Sequence, residues 1–210
     1  MNDKDYLRFI HDLFEFNDEN PVLNSVYYFD PKTMKVEGRY LKNSKADRKP
    51  RKLLVEILIF TLMPNHFHLL LKQNVEDGIV KFMQKLGIGY TMYFNQKHKR
   101  VGPLFQGKFK AVMLEEHAHL LHLPHYIHAN PLKLANYRDP ISIVKQLKFL
   151  EEYGWSSLSD YVGKKNFPSI TQREFLLDFF GGKEKYKKET KEWLKNQAEN
   201  KENIQEILLE

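Results

Sequence analysis

Residues 53–62, LLVEILIFTL, constrain this chain more than any other stretch. The run is apolar and β-branched, and Met63-Pro64-Asn65 ends it with a turn signal, so it reads as a buried strand. HFHLLLK, residues 66–72, reads as a second strand, and the two form an antiparallel hairpin. Both flanks of the hairpin carry helical periodicity. Tyr6, Phe9, Ile10, Leu13 and Phe14 share one stripe over residues 3–16, which Asn2 or Asp3 can cap. Ile79, Phe82, Met83, Leu86, Tyr90 and Tyr93 share another over residues 78–95, weakened locally by Gly87 and Gly89. Glu116 to Ala129 is predicted helical. Pro124 lies inside it, so the helix either kinks there or restarts with Pro124 in its first turn, and Asn130-Pro131 ends it. Residues 100–115 begin with a Gly102-Pro103 turn and a basic loop, followed by an expected strand at Phe109–Leu114. Further helices are expected at residues 141–152, 171–180 and 183–199. Residues 17–52 are polar and punctuated by Pro21, Pro31, Gly38 and Pro50, with a short strand expected at Val26–Phe29.

Composition narrows the function classes. Without cysteine, the chain cannot be a disulfide scaffold, a thiolate zinc finger or a cysteine-nucleophile enzyme. No apolar run approaches the roughly 20 residues of a membrane span. The N-terminus is polar and then amphipathic, unlike a secretion signal, so a cytoplasmic protein is expected. The net charge of +6 is modest, so its placement matters more than its size. Residues 39–52 hold seven basic residues against one acid, and residues 97–110 hold five against none. A polyanion, nucleic acid above all, is the expected partner.

Three clusters can carry chemistry. His66 and His68 stand at i and i+2 of a strand, hence on one face about 6.5–7 Å apart along it, where they can share one divalent metal. Phe67, with Leu69 and Leu71, is then expected to face a core. The plainer alternative is two histidines on a half-exposed strand. Tyr126 and Asn130 stand at i and i+4 of a helix, on one face. The Asn130 carbonyl suits a hard cation, and the Tyr126 phenol, ordinarily ionising near pH 10, needs a metal or base beside it to act as a nucleophile. Alternatively, Tyr126 packs with a satisfied hydroxyl and Asn130 caps the helix. His122, His125 and His128 recur every third residue and either touch metal or phosphate or lie on an amphipathic surface. In Tyr90–Lys110, basic residues interleave with Tyr93, Phe94, Phe105 and Phe109, a mix suited to single-stranded nucleic acid. Lys97, Lys99, Arg100, Gln106, Lys108 and Lys110 are its candidate DNA contacts. The alternative is a helix with core aromatics and solvated lysines.

In order along the chain, these motifs resemble one family. Met63-Pro64-Asn65-His66-Phe67-His68-Leu69-Leu70 resembles the HUH motif of single-tyrosine transposases. Tyr93-Phe94-Asn95 with Leu104–Lys110 resembles the middle block of REP-associated tyrosine transposases, and Tyr126–Pro131 their nucleophile block. Trp155-Ser156-Ser157 followed by Tyr161 is similar to their C-terminal region. The resemblance implies an α+β fold, with a ferredoxin-like antiparallel sheet, helices on one face, and a small helical C-terminal extension. The expected division is a transposase-like domain over residues 1–145, interrupted by a basic insertion at 17–52, and an extension over 146–210. It further implies Mg²⁺ or Mn²⁺ held by His66, His68 and Asn130, and a Tyr126 nucleophile that leaves a 5′-phosphotyrosine and a free 3′-hydroxyl. The implied substrate is single-stranded DNA, often beside a hairpin.

One departure stands out. Members of this family open with a strand before the first helix, whereas here Met1 leads almost directly into the Tyr6–Phe16 stripe. Loss of that strand is expected to leave a sheet edge unpaired beside the histidine strand. Either residues 17–52 supply a substitute, or a second copy pairs there as a homodimer, or the chain is a truncated relative. The competing functional reading is therefore a catalytically inactive protein that binds single-stranded or hairpin DNA. An RNA-binding module without a metal ranks third, because it makes the histidine pair and the Tyr126/Asn130 pair coincidental.

Overall fold

The computed structural model describes residues 1–20, 27–30, 35–38, 51–114, 117–135 and 142–200. Val26, the basic residues from Arg39 to Lys49, Glu116 and the tail 201–210 lie outside the described residues. The elements run α1 (Asp3–Glu15), β1 (Tyr27–Asp30), β2 (Lys35–Gly38), β3 (Val55–Leu62), β4 (Phe67–Gln73), α2 (Gly78–His98) and α3 (His117–Ala129). A 3₁₀ turn (Asn130–Leu134) follows, then α4 (Ile143–Glu152), α5 (Leu158–Tyr161), α6 (Glu174–Phe180) and α7 (Lys183–Asn200). The fold is α+β. β1 and β2 pair antiparallel in a sheet of their own, separate from the β3–β4 hairpin.

Every residue of β3 except Glu56 is buried, as its unbroken apolar run demands. Its second edge is not left open. Leu62 N–H donates to Trp155 O, and Ser157 N–H donates to Phe60 O. These bonds frame an antiparallel bridge between Thr61 and Ser156, whose hydroxyls meet at 3.1 Å. The Tyr161 hydroxyl donates to Leu58 O at 2.7 Å. Alternate residues of a strand present their backbone groups to one edge, so Leu58, Phe60 and Leu62 mark a single edge closed by residues 155–161. A C-terminal segment thus satisfies these groups of β3, while β4, the histidine strand, pairs with no strand other than β3 among the described residues.

The chain divides into two compact units. The first comprises residues 1–57, 71–109 and 167–170. Here α1 begins with a reciprocal cap: the Asn2 side chain accepts from Asp5 N–H while the Asp5 carboxylate accepts from Asn2 N–H. α1 packs on α2 through Phe9 and Tyr90, edge to face at 4.8 Å. Gly89 is required by this packing, because a Cβ there would run into the Phe16 ring. The glycine that weakens the helical pattern is what lets the two helices close. The Asn17 amide both donates to Val55 O (2.8 Å) and accepts from Val55 N–H (3.0 Å), pairing the start of β3 as a strand would. Arg51, from the segment read as a basic insertion, lays its guanidinium 3.7 Å from the Phe14 ring and donates to Phe14 O and Asn17 O. It ties down the C-terminal end of α1, where a cation also suits the helix dipole.

The second unit comprises residues 58–70, 110–166 and 171–210. Its core joins Leu58, Ile59 and Leu70 of the hairpin to Ile127 of α3 and to Tyr161, Tyr186 and Trp193 from the C-terminal third. The boundary expected near residue 145 falls inside this unit. Two strand-level expectations need correction. Phe109–Leu114 is not a strand: no described strand lies alongside to complete its ladder, and Val112 and Met113 are exposed. In β4 it is Leu70, on the face of His66 and His68, that is buried, while Phe67, Leu69 and Leu71 are half-buried. The reason is that α3 covers the histidine face, with Ile127 and Ala129 packing in the same core as Leu70.

Candidate active site

The packing of α3 against the histidine face creates the site. His66 precedes β4 and His68 is its second residue, and their rings stand 5.0 Å apart at 87°. The Tyr126 ring lies 6.2 Å from the His68 ring, edge on at 77°. Asn130, one helical turn beyond Tyr126, begins the 3₁₀ turn that Pro131 enforces. Its Nδ2 donates to Tyr126 O at 2.9 Å, and its Oδ1 accepts from Lys133 Nζ at 3.1 Å. The helix-cap expectation is met by the amide nitrogen, while the amide oxygen accepts from the Lys133 ammonium.

Lys133 went unrecognised in the sequence, lying just past the motif. Its ammonium also stands 5.3 Å from the centre of the Tyr126 ring. In a 3₁₀ turn residues i and i+3 eclipse, which places Lys133 over Asn130. This spacing was the one available sequence signal.

The imidazoles are held neutral. Burial pushes His68 down to about 4, with His66 and the Lys133 ammonium adding to the shift and Asn130 opposing it. Burial and Lys133 also lower His66. Neutral imidazole is the form that ligates metal. His66 Nδ1 donates to Asn65 Oδ1 at 2.7 Å, since a carbonyl oxygen can only accept, and this leaves the lone pair on Nε2. His68 Nε2 is buried and has no hydrogen-bond partner among the described residues. Such an atom is costly unless something fills its lone pair. Among the described residues no three of His, Cys, Asp or Glu gather to hold a metal. The donor set here is two imidazoles and an amide oxygen that already holds a cation, and it fits a divalent ion bound together with a substrate oxygen.

The remaining candidates sit elsewhere. His122 is exposed, whereas His125 and His128 are buried, correcting the surface reading for those two. His128 accepts at Nδ1 from the Tyr186 hydroxyl (2.7 Å) and bonds Ser157 Oγ through Nε2 (2.9 Å). Ser157 in turn donates to Phe60 O and accepts from Phe60 N–H. The face of α3 opposite the tyrosine is therefore pinned to β3 and α7. In the first unit, Lys97 reaches the buried Asp5 carboxylate at 2.6 Å and His98 lies 3.2 Å from it. Burial pushes Asp5 up, but hydrogen bonds from Lys97, the Asn2 backbone and His98 more than offset this and hold it at about 2. Lys99, in left-handed conformation (φ 52°), ends α2. Lys99, Arg100, Gln106, Lys108 and Lys110 are exposed.

Residues 38–130 match a family model described as IS200-like transposase. Over this span, less than half of the chain, the protein is similar to IS200-like transposases. His66, His68, Tyr126 and Asn130 all lie within the match, and the α+β architecture is consistent with that family's fold. No curated protein and no solved structure matches the chain. No helix among the described residues is long and apolar enough to cross a membrane.

Proposed function

We propose that this chain cleaves and rejoins single-stranded DNA through a covalent tyrosine intermediate. The observation that carries the reading is the buried Nε2 of His68, without a hydrogen-bond partner among the described residues, on a ring 5.0 Å from a second neutral imidazole and 6.2 Å from the ring of Tyr126. His66, His68 and Asn130 would hold one Mg²⁺ or Mn²⁺, which supplies Lewis-acid polarisation of the scissile phosphate and a template for its orientation. Tyr126 attacks the phosphorus through its phenolic oxygen. A tyrosine–phosphorus bond forms at the 5′ end of the strand downstream of the break, the phosphorus–3′-oxygen bond breaks, and the 3′-oxygen takes up a proton as the phenol loses one. The phosphodiester is conserved, so a 3′-hydroxyl can later displace Tyr126 and restore the strand without a nucleotide cofactor. No described residue hydrogen-bonds the Tyr126 hydroxyl, and the ring is half-exposed, both of which suit a nucleophile. The Asn130–Tyr126 hydrogen bond ties the nucleophile's backbone to the third ligand, fixing their relative position.

Lys99, Arg100, Lys108 and Lys110 are available to phosphates, and Gln106 to phosphate or base. Lys97 is already engaged by Asp5 and serves the fold. The blocks Leu104–Lys110 and Tyr126–Pro131 support the REP-associated branch and a hairpin-bearing strand as substrate.

The test is covalent capture. Labelled hairpin oligonucleotides with single-stranded flanks, incubated with the protein and Mn²⁺, should give a denaturation-resistant adduct. Tyr126→Phe should lower its yield by at least about 10³-fold while sparing DNA binding. Intact binding without any adduct would instead establish the non-catalytic DNA-binding relative.

A further inference from the structure

We infer that Lys133 couples DNA binding to metal binding. In the DNA-free protein its ammonium holds the Asn130 oxygen, and on DNA binding it transfers to a strand phosphate and releases that oxygen as a ligand. The inference rests on the site reading above and adds a residue outside the matched family span.

Three observations carry it. First, the contact is a direct one, 3.1 Å from Nζ to Oδ1. Second, of the two partners only the lysine is free to leave. Asn130 is buried, and its Nδ2 is spent on Tyr126 O, so turning the amide away would break that bond. Lys133 is exposed, on a four-carbon stem anchored one 3₁₀ turn away. Third, the ammonium also stands 5.3 Å from the Tyr126 ring, so a phosphate within reach of the phenol is within reach of Lys133.

The physics is competition between cations. A divalent ion at Asn130 Oδ1 and an ammonium on the same oxygen repel each other strongly in a partly buried site. A phosphate offers the ammonium a charge-assisted hydrogen bond, stronger than one to a neutral amide. DNA therefore removes the competitor, and by linkage the metal tightens DNA binding by the same factor as DNA tightens metal binding.

The experiment is Mn²⁺ titration of the full chain by calorimetry, without DNA, in wild type, Lys133→Met and His68→Ala. Lys133→Met keeps the stem and removes the charge. Since Lys133 is exposed, its melting temperature should match wild type. The expected result is Mn²⁺ binding about 5-fold tighter or more in Lys133→Met than in wild type, in the range of ordinary coupling between sites. Repeating the titration on the Tyr126→Phe background with bound single-stranded DNA should narrow that gap to about 2-fold or less. DNA-free affinity that is unchanged, weaker or unmeasurable in Lys133→Met overturns the inference, as does a gap that DNA leaves intact. If His68→Ala binds Mn²⁺ as well as wild type, the ligand assignment itself fails, independently of Lys133.

Discussion

Two pairs of histidines, far apart in the chain but built from the same side chain, divide the work of the second unit. His66 and His68 stand at the start of β4, one exposed and one half-buried, beside an amide oxygen and a cation. His125 and His128 lie in the core. His128 spends both nitrogens on Tyr186 and Ser157. His125 donates from Nδ1 to Thr190 Oγ1 and is packed against Phe180 and Tyr186, with rings 5.1 and 4.9 Å away. Its Nε2, like that of His68, is buried without a partner among the described residues. An unsatisfied nitrogen is therefore not in itself a ligand. His68 has a second imidazole, Tyr126 and Asn130 as company, whereas His125 stands 6.4 Å, ring to ring, from the indole of Trp193, whose unpartnered nitrogen is a donor. The neighbours decide whether a histidine is chemistry or scaffold.

That contrast breaks most sharply on alanine. His68→Ala should abolish covalent adduct formation and Mn²⁺ binding, with DNA binding and melting temperature close to wild type. A His68→Ala protein that still forms a Mn²⁺-dependent adduct would move the metal elsewhere. His128→Ala should do the reverse. It empties a core site and strands the Tyr186 hydroxyl, costing about 2–4 kcal/mol by urea unfolding, with Mn²⁺ affinity retained under native conditions. Wild-type stability in His128→Ala would refute its structural role.

Acid sharpens the comparison next. Burial pushes His125 down to about 3 and His128 well below its ordinary 6.5, so both are neutral when folded but take up protons when unfolded below about pH 6.5. Their contribution is complete above that pH and is lost as pH falls through it, with a slope of up to about 1.4 kcal/mol per pH unit for each. Asp5 has the opposite habit: depressed to about 2 from 3.8, it contributes above 3.8 and is lost only as pH falls toward 2. Unfolding free energy that falls between pH 6.5 and 5 therefore reports His125 and His128 together with His68, which burial lowers to about 4. A flat profile over that interval would contradict their burial as neutral groups.

The smallest effect separates two lysines of the basic block. Lys108→Ala should flatten the salt dependence of DNA binding by about one unit and leave the melting temperature alone. Lys97→Ala should lower the melting temperature, because Asp5 loses its partner, and barely change the salt slope. An exchange of the two phenotypes would reverse their assignments.

Much of this was legible in the chain itself. The hairpin, α1, α2 and the C-terminal helices follow from strong periodicity, and the metal-site candidates follow from i, i+2 on a strand and i, i+4 on a helix. What was illegible is non-local. Ser156 and Ser157 close the edge of β3 from 95 and 97 residues away, and two serines carry no strand pattern. Lys97 finds Asp5 across 92 residues. A basic residue reads as a DNA contact until its buried partner is known. His128 looks like surface because helical periodicity cannot distinguish a polar face turned to water from one turned to Tyr186 and Ser157.

The central claim is that Tyr126 carries the DNA. Peptide mass spectrometry of the protein reacted with a single-stranded hairpin oligonucleotide and Mn²⁺ tests it most directly. The account predicts a nucleotide phosphate mass on the peptide containing Tyr126 and on no other. A modification mapped to another residue, or released strands with no modified peptide, would contradict it.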